Sequence, residues 1–259
     1  MTKVIDCREY YQKTLDNAKA YLEWIGRKKS LLIVTNDYEA SQVYVRNKVK
    51  ACEYVGIDVN VVKNATEKDL GNYDAVLVQM PNNSTNIGLL DHINASQDVD
   101  GFTISNSGML LNEGWAIQTP CTPQGIMRII ENEGYDLDGK NVVIVGRSNI
   151  VGKPLALMML QANATVTVCH SHTRNLEDIC KQADVLVVAI GKPRYIDSKY
   201  VKEGAFVVDV GINRDKDGKL CGDVDFDDVM GKAGYITPVP NGIGKVTVAT
   251  LINNICRTI

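Results

Sequence analysis

No stretch of the sequence approaches the roughly 18 consecutive apolar residues of a membrane-crossing helix. The opening MTKVIDCREYYQKTLDNAK is polar and helix-patterned, not a basic segment leading into an apolar one. Neither a membrane span nor a secretory leader is expected, and the chain reads as cytoplasmic. Cysteine pairing is also missing. The seven cysteines are odd in number and scattered, with no C-x-x-C and no histidine at zinc-site spacing. That pattern excludes a disulfide framework or a zinc finger and predicts free thiols and no metal. An excess of charge is absent as well: 28 Lys and Arg against 31 Asp and Glu leave −3. Such a balance offers no footprint for nucleic acid or an anionic membrane, so a small molecule becomes the expected partner.

What is present is the core of an ordinary soluble protein, 45% hydrophobic over 259 residues, enough for one large domain or two modest ones. Apolar runs at 30–36, 58–63 and 75–81 alternate with helical patterns at 7–27 and 39–55. After a loop-rich stretch at 82–121 and a helix near 123–134, runs at 140–148, 165–169, 184–191, 205–212 and 235–240 form a second set. Within it a helix opens at Pro154, and a last helix covers about 247–257. Short continuous apolar strands separated by helices predict parallel sheets covered on both faces. Two α/β lobes meeting near 118–122 are expected, with the last helix free to pack back on the first.

VVIVGRSNIVGKP (142–154) puts a glycine at the end of a buried strand, then a tight polar turn and a helix start, a geometry suited to a pyrophosphate. It is not G-x-G-x-x-G: Ser148 takes the second glycine's place and Gly152 falls one residue late, so a strand–turn–helix without a cofactor remains open. NAD sites usually carry an acid near the end of the next strand, whereas here the chain reads CHSHTRN and the first carboxylate is Glu177. Arg147 and Ser171 could instead meet a 2′-phosphate, which favours NADP. His170 and His172 lack a third ligand nearby and read as loop structure.

On the 39–55 helix, at about 100° per residue, Glu39, Arg46, Lys50 and Glu53 form a solvent face. Ala51, Cys52 and Val55 share the opposite face with Ser41, Tyr44 and Lys48. A lone ammonium on a buried face costs several kcal/mol unless paired. The arrangement therefore points to a site, against the plainer possibility of a lysine reaching past the helix edge. Gln79 ends the run AVLVQ and Asp100 sits in QDVDGF, where α/β sheets place ligands.

The blocks SQVYVRNKVKACEYVGI (41–57), QDVDGF (97–102), TPCTPQG (119–125), VVIVGRSNIVGKP (142–154), ATVTVCHSHT (164–173), VVDVGIN (207–213) and TPVPNGIG (237–244) resemble the methylenetetrahydrofolate dehydrogenase/methenyltetrahydrofolate cyclohydrolase family. The resemblance runs from about 30 to 255. It implies an α/β fold of two domains: an N-terminal α/β lobe, 1–118 with the C-terminal helix of about 245–259, and a Rossmann-type NADP-binding lobe, 119–244, with a cleft between them and a homodimer as the assembly. By the same resemblance Lys48 is the catalytic lysine, Tyr44 the tyrosine packing on the folate, Gln79 the glutamine orienting the lysine and Asp100 the carboxylate gripping the pterin edge. It also implies that Ser41, Val78, Met80, Pro240, Gly242 and Gly244 line the tetrahydrofolate site, and that Gly146, Arg147, Ser148, Ser171 and Ile212 hold NADP. The implied activity is oxidation of 5,10-methylenetetrahydrofolate and hydrolysis of the methenyl product to the 10-formyl form. Two segments depart from the family's pattern: QMPNNST (79–85), where a leucine–proline-rich loop is usual, and 240–247, where Lys245 stands in place of a proline. These leave open a monofunctional dehydrogenase or a non-catalytic binding paralogue.

Overall fold

The computed structural model describes residues 1–36, 39–112 and 117–258, and the chain separates into two compact units. One consists of Tyr10–Cys121 and Thr247–Ile259. Its sheet has three parallel strands in the order Asp58–Val62, Ser30–Val34, Ala75–Val78. Leu31 and Ile33 of the central strand enter an apolar cluster with Ala75, Leu77, Leu15, Leu22, Cys52 and Val55, while Leu32 and Val34 enter another with Val76, Val78, Leu89 and Ile93. Both faces are covered along Ser30–Val34 and Ala75–Val78, which is why LLIV and AVLV read as unbroken apolar runs, whereas Asp58–Val62 at the sheet's edge keeps Asp58, Asn60 and Val61 exposed. Val248, Leu251, Ile252 and Ile255 of the helix Ile243–Cys256 complete the first cluster. Each such side chain is worth roughly 1.5–3 kcal/mol when buried, which holds the chain's last segment to its early strands.

The stretch 82–121 is less loop-rich than its sequence suggests. It contains the helices Ser84–Gly88 and Ile104–Leu111, of 5 and 8 residues, too short to display a helical stripe. Capping marks them instead: the Asn83 side chain accepts the Asn86 N–H, and Thr103 accepts that of Asn106.

The other unit, Met1–Glu9 with Thr122–Val246, is built on a parallel sheet. Its strand order is Lys3–Val4, Tyr235–Ile236, Phe206–Asp209, Val185–Val188, Asn141–Val145, Thr165–Cys169. From Asn141–Val145 the chain steps first to one side, Thr165–Cys169, and then to the other, Val185–Val188, so the strand order reverses there and opens a binding crevice at the carboxyl ends. The first nine residues lie with this unit, not with the lobe assigned to 1–118. A two-residue strand carries no readable period, and main-chain bonds hold it: Lys3 N–H to the Gly234 carbonyl and Ile5 N–H to that of Ile236, both 2.8 Å. Two helix starts also differ from the sequence reading. The helix Gly152–Gln161 begins two residues before Pro154, which still falls in the first turn, where a missing N–H costs no intrahelical bond. The final helix begins at Ile243, ahead of the expected 245–247.

Candidate active site

In the first unit the helix Glu39–Val55 presents the face that its periodicity foretold. Val45, Ala51, Cys52 and Val55 are buried, Ser41 is buried beside them, and Lys48 is only 4% exposed. The buried ammonium has a partner: Lys48 Nζ donates to Gln79 Oε1 at 2.9 Å. The Gln79 amide is held at its other end, where Nε2 donates to the Met80 carbonyl at 2.9 Å, so the oxygen is the end turned to the lysine. Tyr44 lies one turn before Lys48, and burial pushes its phenol up to about 12, which keeps it a neutral ring at any ordinary pH.

Of the two acids in QDVDGF, Asp98 is structural. It accepts the Thr103 N–H at 2.8 Å and the Asn106 amide at 3.0 Å. Asp100 accepts the Cys121 N–H at 3.3 Å. Gly101 adopts φ +69°, and a Cβ there would come within 2.7 Å of the Pro120 nitrogen, so glycine lets residues 98–101 and 119–121 touch. The Cys121 thiol, donating to the Val99 carbonyl at 3.2 Å, is raised well above its usual range by burial first and by the Asp100 charge next, against the Lys48 ammonium. Lysine, carboxylate and thiol therefore share one electrostatic environment. Sequence reading had treated Cys121 as one more free thiol. It had also missed Asn254, fully buried, whose amide donates to the Val99 carbonyl at 2.9 Å and the Thr119 carbonyl at 3.3 Å. The signal for Asn254 was a polar residue amid the apolar positions of the last helix.

In the second unit the turn after Asn141–Val145 admits only glycine at two positions. Gly146 sits at φ +133°, where a Cβ would overlap the Ala189 carbonyl, and a Cβ on Gly152 would overlap the carbonyl of Gly146. Ser148 organises the turn, its hydroxyl accepting the Val151 N–H at 3.1 Å and its carbonyl accepting the Lys153 N–H at 3.0 Å. Val145 and Cys169 are paired across neighbouring strands, and the Gly146 N–H bonds the Cys169 carbonyl, so Arg147 and Ser171, both exposed, leave adjacent strand ends. His170 lies close enough to Arg147 that, after desolvation, the guanidinium helps to hold its imidazole below the usual value. His170 Nδ1 accepts the His172 N–H at 3.2 Å, which makes H-x-H a self-bonded loop. Glu177, the first acid beyond, pairs with Lys181 at 2.5 Å on its own helix.

Two buried aspartates that sequence reading passed over shape the loops beyond the next strands. Asp223, with no exposed surface, accepts the N–H groups of Ile190, Gly191 and Lys192 at 2.6, 3.0 and 2.7 Å and the Asn213 amide at 2.8 Å. Asp209 accepts those of Gly211, Asp223 and Val224 at 2.9–3.0 Å. Ile212, 41% exposed, stands where a Cβ on Gly244 would be 3.2 Å from its Cδ1. A Cβ on Gly242 would overlap the Pro238 carbonyl, so the turn holding Pro240 needs that glycine.

The family described as tetrahydrofolate dehydrogenase/cyclohydrolase, NAD(P)-binding domain, matches residues 120–259. The bifunctional protein FolD of Agathobacter rectalis is 49% identical over 240 residues, spanning 87% of this chain and 85% of its own. The chain belongs to the tetrahydrofolate dehydrogenase/cyclohydrolase family. Solved members agree in fold. The bifunctional FolD of Campylobacter jejuni is 40% identical with a TM-score of 0.93, covering 100% of this chain and 98% of its own. The Trypanosoma brucei methylenetetrahydrofolate dehydrogenase-cyclohydrolase, solved with NADP and an inhibitor, is 32% identical with a TM-score of 0.91, covering 99% and 97%. Within the family fold, Ser41, Tyr44, Lys48, Val78, Gln79, Met80 and Asp100 fall in one unit, and Gly146, Arg147, Ser148, Ser171, Ile212, Pro240, Gly242 and Gly244 in the other.

Proposed function

We propose that this chain oxidises 5,10-methylenetetrahydrofolate with NADP and hydrolyses the methenyl product to 10-formyltetrahydrofolate. The observation that carries both activities is the intact Lys48–Gln79 pair, buried beside Tyr44, Asp100 and Cys121 in a member of this family. Tyr44 offers its ring to the folate, Asp100 grips the amide edge of the pterin, and Ser41, Val78 and Met80 of the same unit line the rest of the substrate's path. The side-chain-free approach at Gly146 and Gly152 suits a pyrophosphate, and Arg147 with Ser171 suits a 2′-phosphate. NADP supplies the hydride acceptor, and the loops of Ile190–Lys192 and Ile212 orient its nicotinamide end. The protein's part in hydride transfer is placement. In hydrolysis water adds to the methenyl carbon; Lys48, its Nζ directed by Gln79, takes as the amine a proton that the added water gives up and returns it to the ring nitrogen as the carbon–nitrogen bond breaks, while the water's other proton passes to solvent.

The same reading has the chain acting in the cytoplasm as a homodimer. No described helix is long and apolar enough to cross a membrane, all seven cysteines are free and buried, and Thr165–Cys169 lies at the edge of its sheet with Val168 exposed, a surface suited to a second copy. A spectrophotometric assay with methylenetetrahydrofolate and NADP, following NADPH and the methenyl species separately, tests the function. NADPH formation with no transient methenyl accumulation beyond the uncatalysed rate supports both activities. NADPH with methenyl build-up leaves only the dehydrogenase, and silence in both channels overturns the reading.

A further inference from the structure

We propose that Asn82 is a positioning residue for the lysine: it fixes the peptide that follows Gln79 and so sets the direction in which the Gln79 amide meets Lys48. This rests on the reading of Lys48 as the proton carrier. The strand Ala75–Val78 ends one residue before Gln79, whose N–H still bonds the Val34 carbonyl at 2.9 Å. Beyond that point the ladder no longer holds the backbone, yet the aim of Gln79 depends on it, because Nε2 is anchored on the Met80 carbonyl. Asn82 supplies the missing restraint. Its amide nitrogen donates among the carbonyls of Gln79 and Val34, each at 3.2 Å, and Thr35 at 3.4 Å. Its oxygen accepts the Asn83 N–H at 2.9 Å and the Asn86 amide at 3.0 Å, and Asn86, fully buried, also donates to the Lys63 carbonyl at 2.8 Å. Asn36 adds a second donor to the Gln79 carbonyl at 3.4 Å and bonds the Pro81 carbonyl. The Asn82 amide thereby joins the carboxyl ends of Ser30–Val34 and Ala75–Val78, and Asn86, bonded to it, ties in the end of Asp58–Val62. This is the segment QMPNNST, where the family resemblance leads one to expect a leucine–proline-rich loop, and in this chain it forms a polar bracket.

Asn82→Ala removes the bracket's centre, and Asn82→Asp keeps its acceptor side while turning a carboxylate toward three carbonyls. Because a displaced catalytic group costs far more rate than binding, we expect kcat for methenyl hydrolysis to fall about tenfold or more in either variant. KM for the folate should stay within about threefold, with a shifted pH profile of kcat. In a Lys48→Gln background Asn82→Ala should have no further effect on hydrolysis, since its action passes through the lysine. Equal losses in both backgrounds, or a wild-type kcat and pH profile in Asn82→Ala while Lys48→Gln is impaired, would overturn the positioning role and leave Lys48 in place. Near wild-type hydrolysis by Lys48→Gln alone would instead remove the reading on which the proposal stands. If Asn82→Ala does not fold, Asn82→Asp decides by the same comparisons.

Discussion

A single buried ammonium on an apolar helix face demands a partner, and Lys48 has one in Gln79. Lys48→Gln keeps length and polarity but cannot carry a proton. Hydrolysis of the methenyl substrate should fall by about 10²–10⁴-fold, while NADPH formation survives in part because it needs orientation more than a proton carrier. Single-turnover rates for the two steps measure the split, and equal losses would make the lysine an anchor. Arg147 is the corresponding residue for the cofactor. The first acid after Thr165–Cys169 is Glu177, which pairs with Lys181, and the arginine leaves a strand end beside Ser171. Arg147→Ala should weaken NADP by roughly 1.5–3 kcal/mol, the worth of a charge-assisted bond, with NAD nearly unaffected. Titration of both cofactors against the variant reads the difference directly.

Among the elements, the last helix starts earlier than its sequence reading. Because it starts at Ile243, Lys245 lies in its first turn and not in an open loop, with its N–H donating to the Gly242 carbonyl at 3.0 Å. Proline is tolerated in a first turn, so Lys245→Pro exchanges that bond, worth about 0.5–1.5 kcal/mol, for a stiffer unfolded chain, worth about 0.4–1 kcal/mol. The two effects nearly cancel. Urea unfolding should show a change below about 1 kcal/mol, and a larger loss would mean that the lysine side chain itself holds the turn. The glycine-dependent turn at 146–152 is less tolerant, since both of its glycines face backbone carbonyls with no room for a methyl group.

For the molecule as a whole, Asp209 links stability to pH. Burial raises its carboxyl from 3.8 to about 7, against the pull of the backbone N–H groups of Val224, Asp223 and Gly211 and with a smaller push from the Asp223 charge. The folded state therefore holds a proton that the unfolded chain releases. The associated stability is fully present below about pH 4 and is lost as pH rises through about 7. Other carboxylates move the opposite way, Asp74 and Asp184 being held low by their partners, so the effect must be read as a difference. The gap in unfolding free energy between wild type and Asp209→Asn, which cannot titrate, should shift against wild type between pH 5 and pH 8. A constant gap across urea melts in that range would show that Asp209 is ionised throughout.

Local pattern alone determined a good part of this protein. Runs such as 31–34 and 142–145 are apolar at every position because both sheet faces are covered, and that is visible without knowing what covers them. Lys48 was legible for the related reason that a charge breaks a helical stripe. Short elements were not: the strand Lys3–Val4 and the helix Ser84–Gly88 are too short to display a period, the first placed by main-chain partners distant in sequence and the second marked only by its Asn83 cap. Nor were the polar groups that act by convergence. Asp209 and Asp223 look like ordinary turn acids, Asn254 like a stray polar residue, and Asn82 like one of several loop asparagines. Only the fold brings carbonyl and N–H groups from separate strands within hydrogen-bond distance of them, and a buried polar group takes its meaning from those partners.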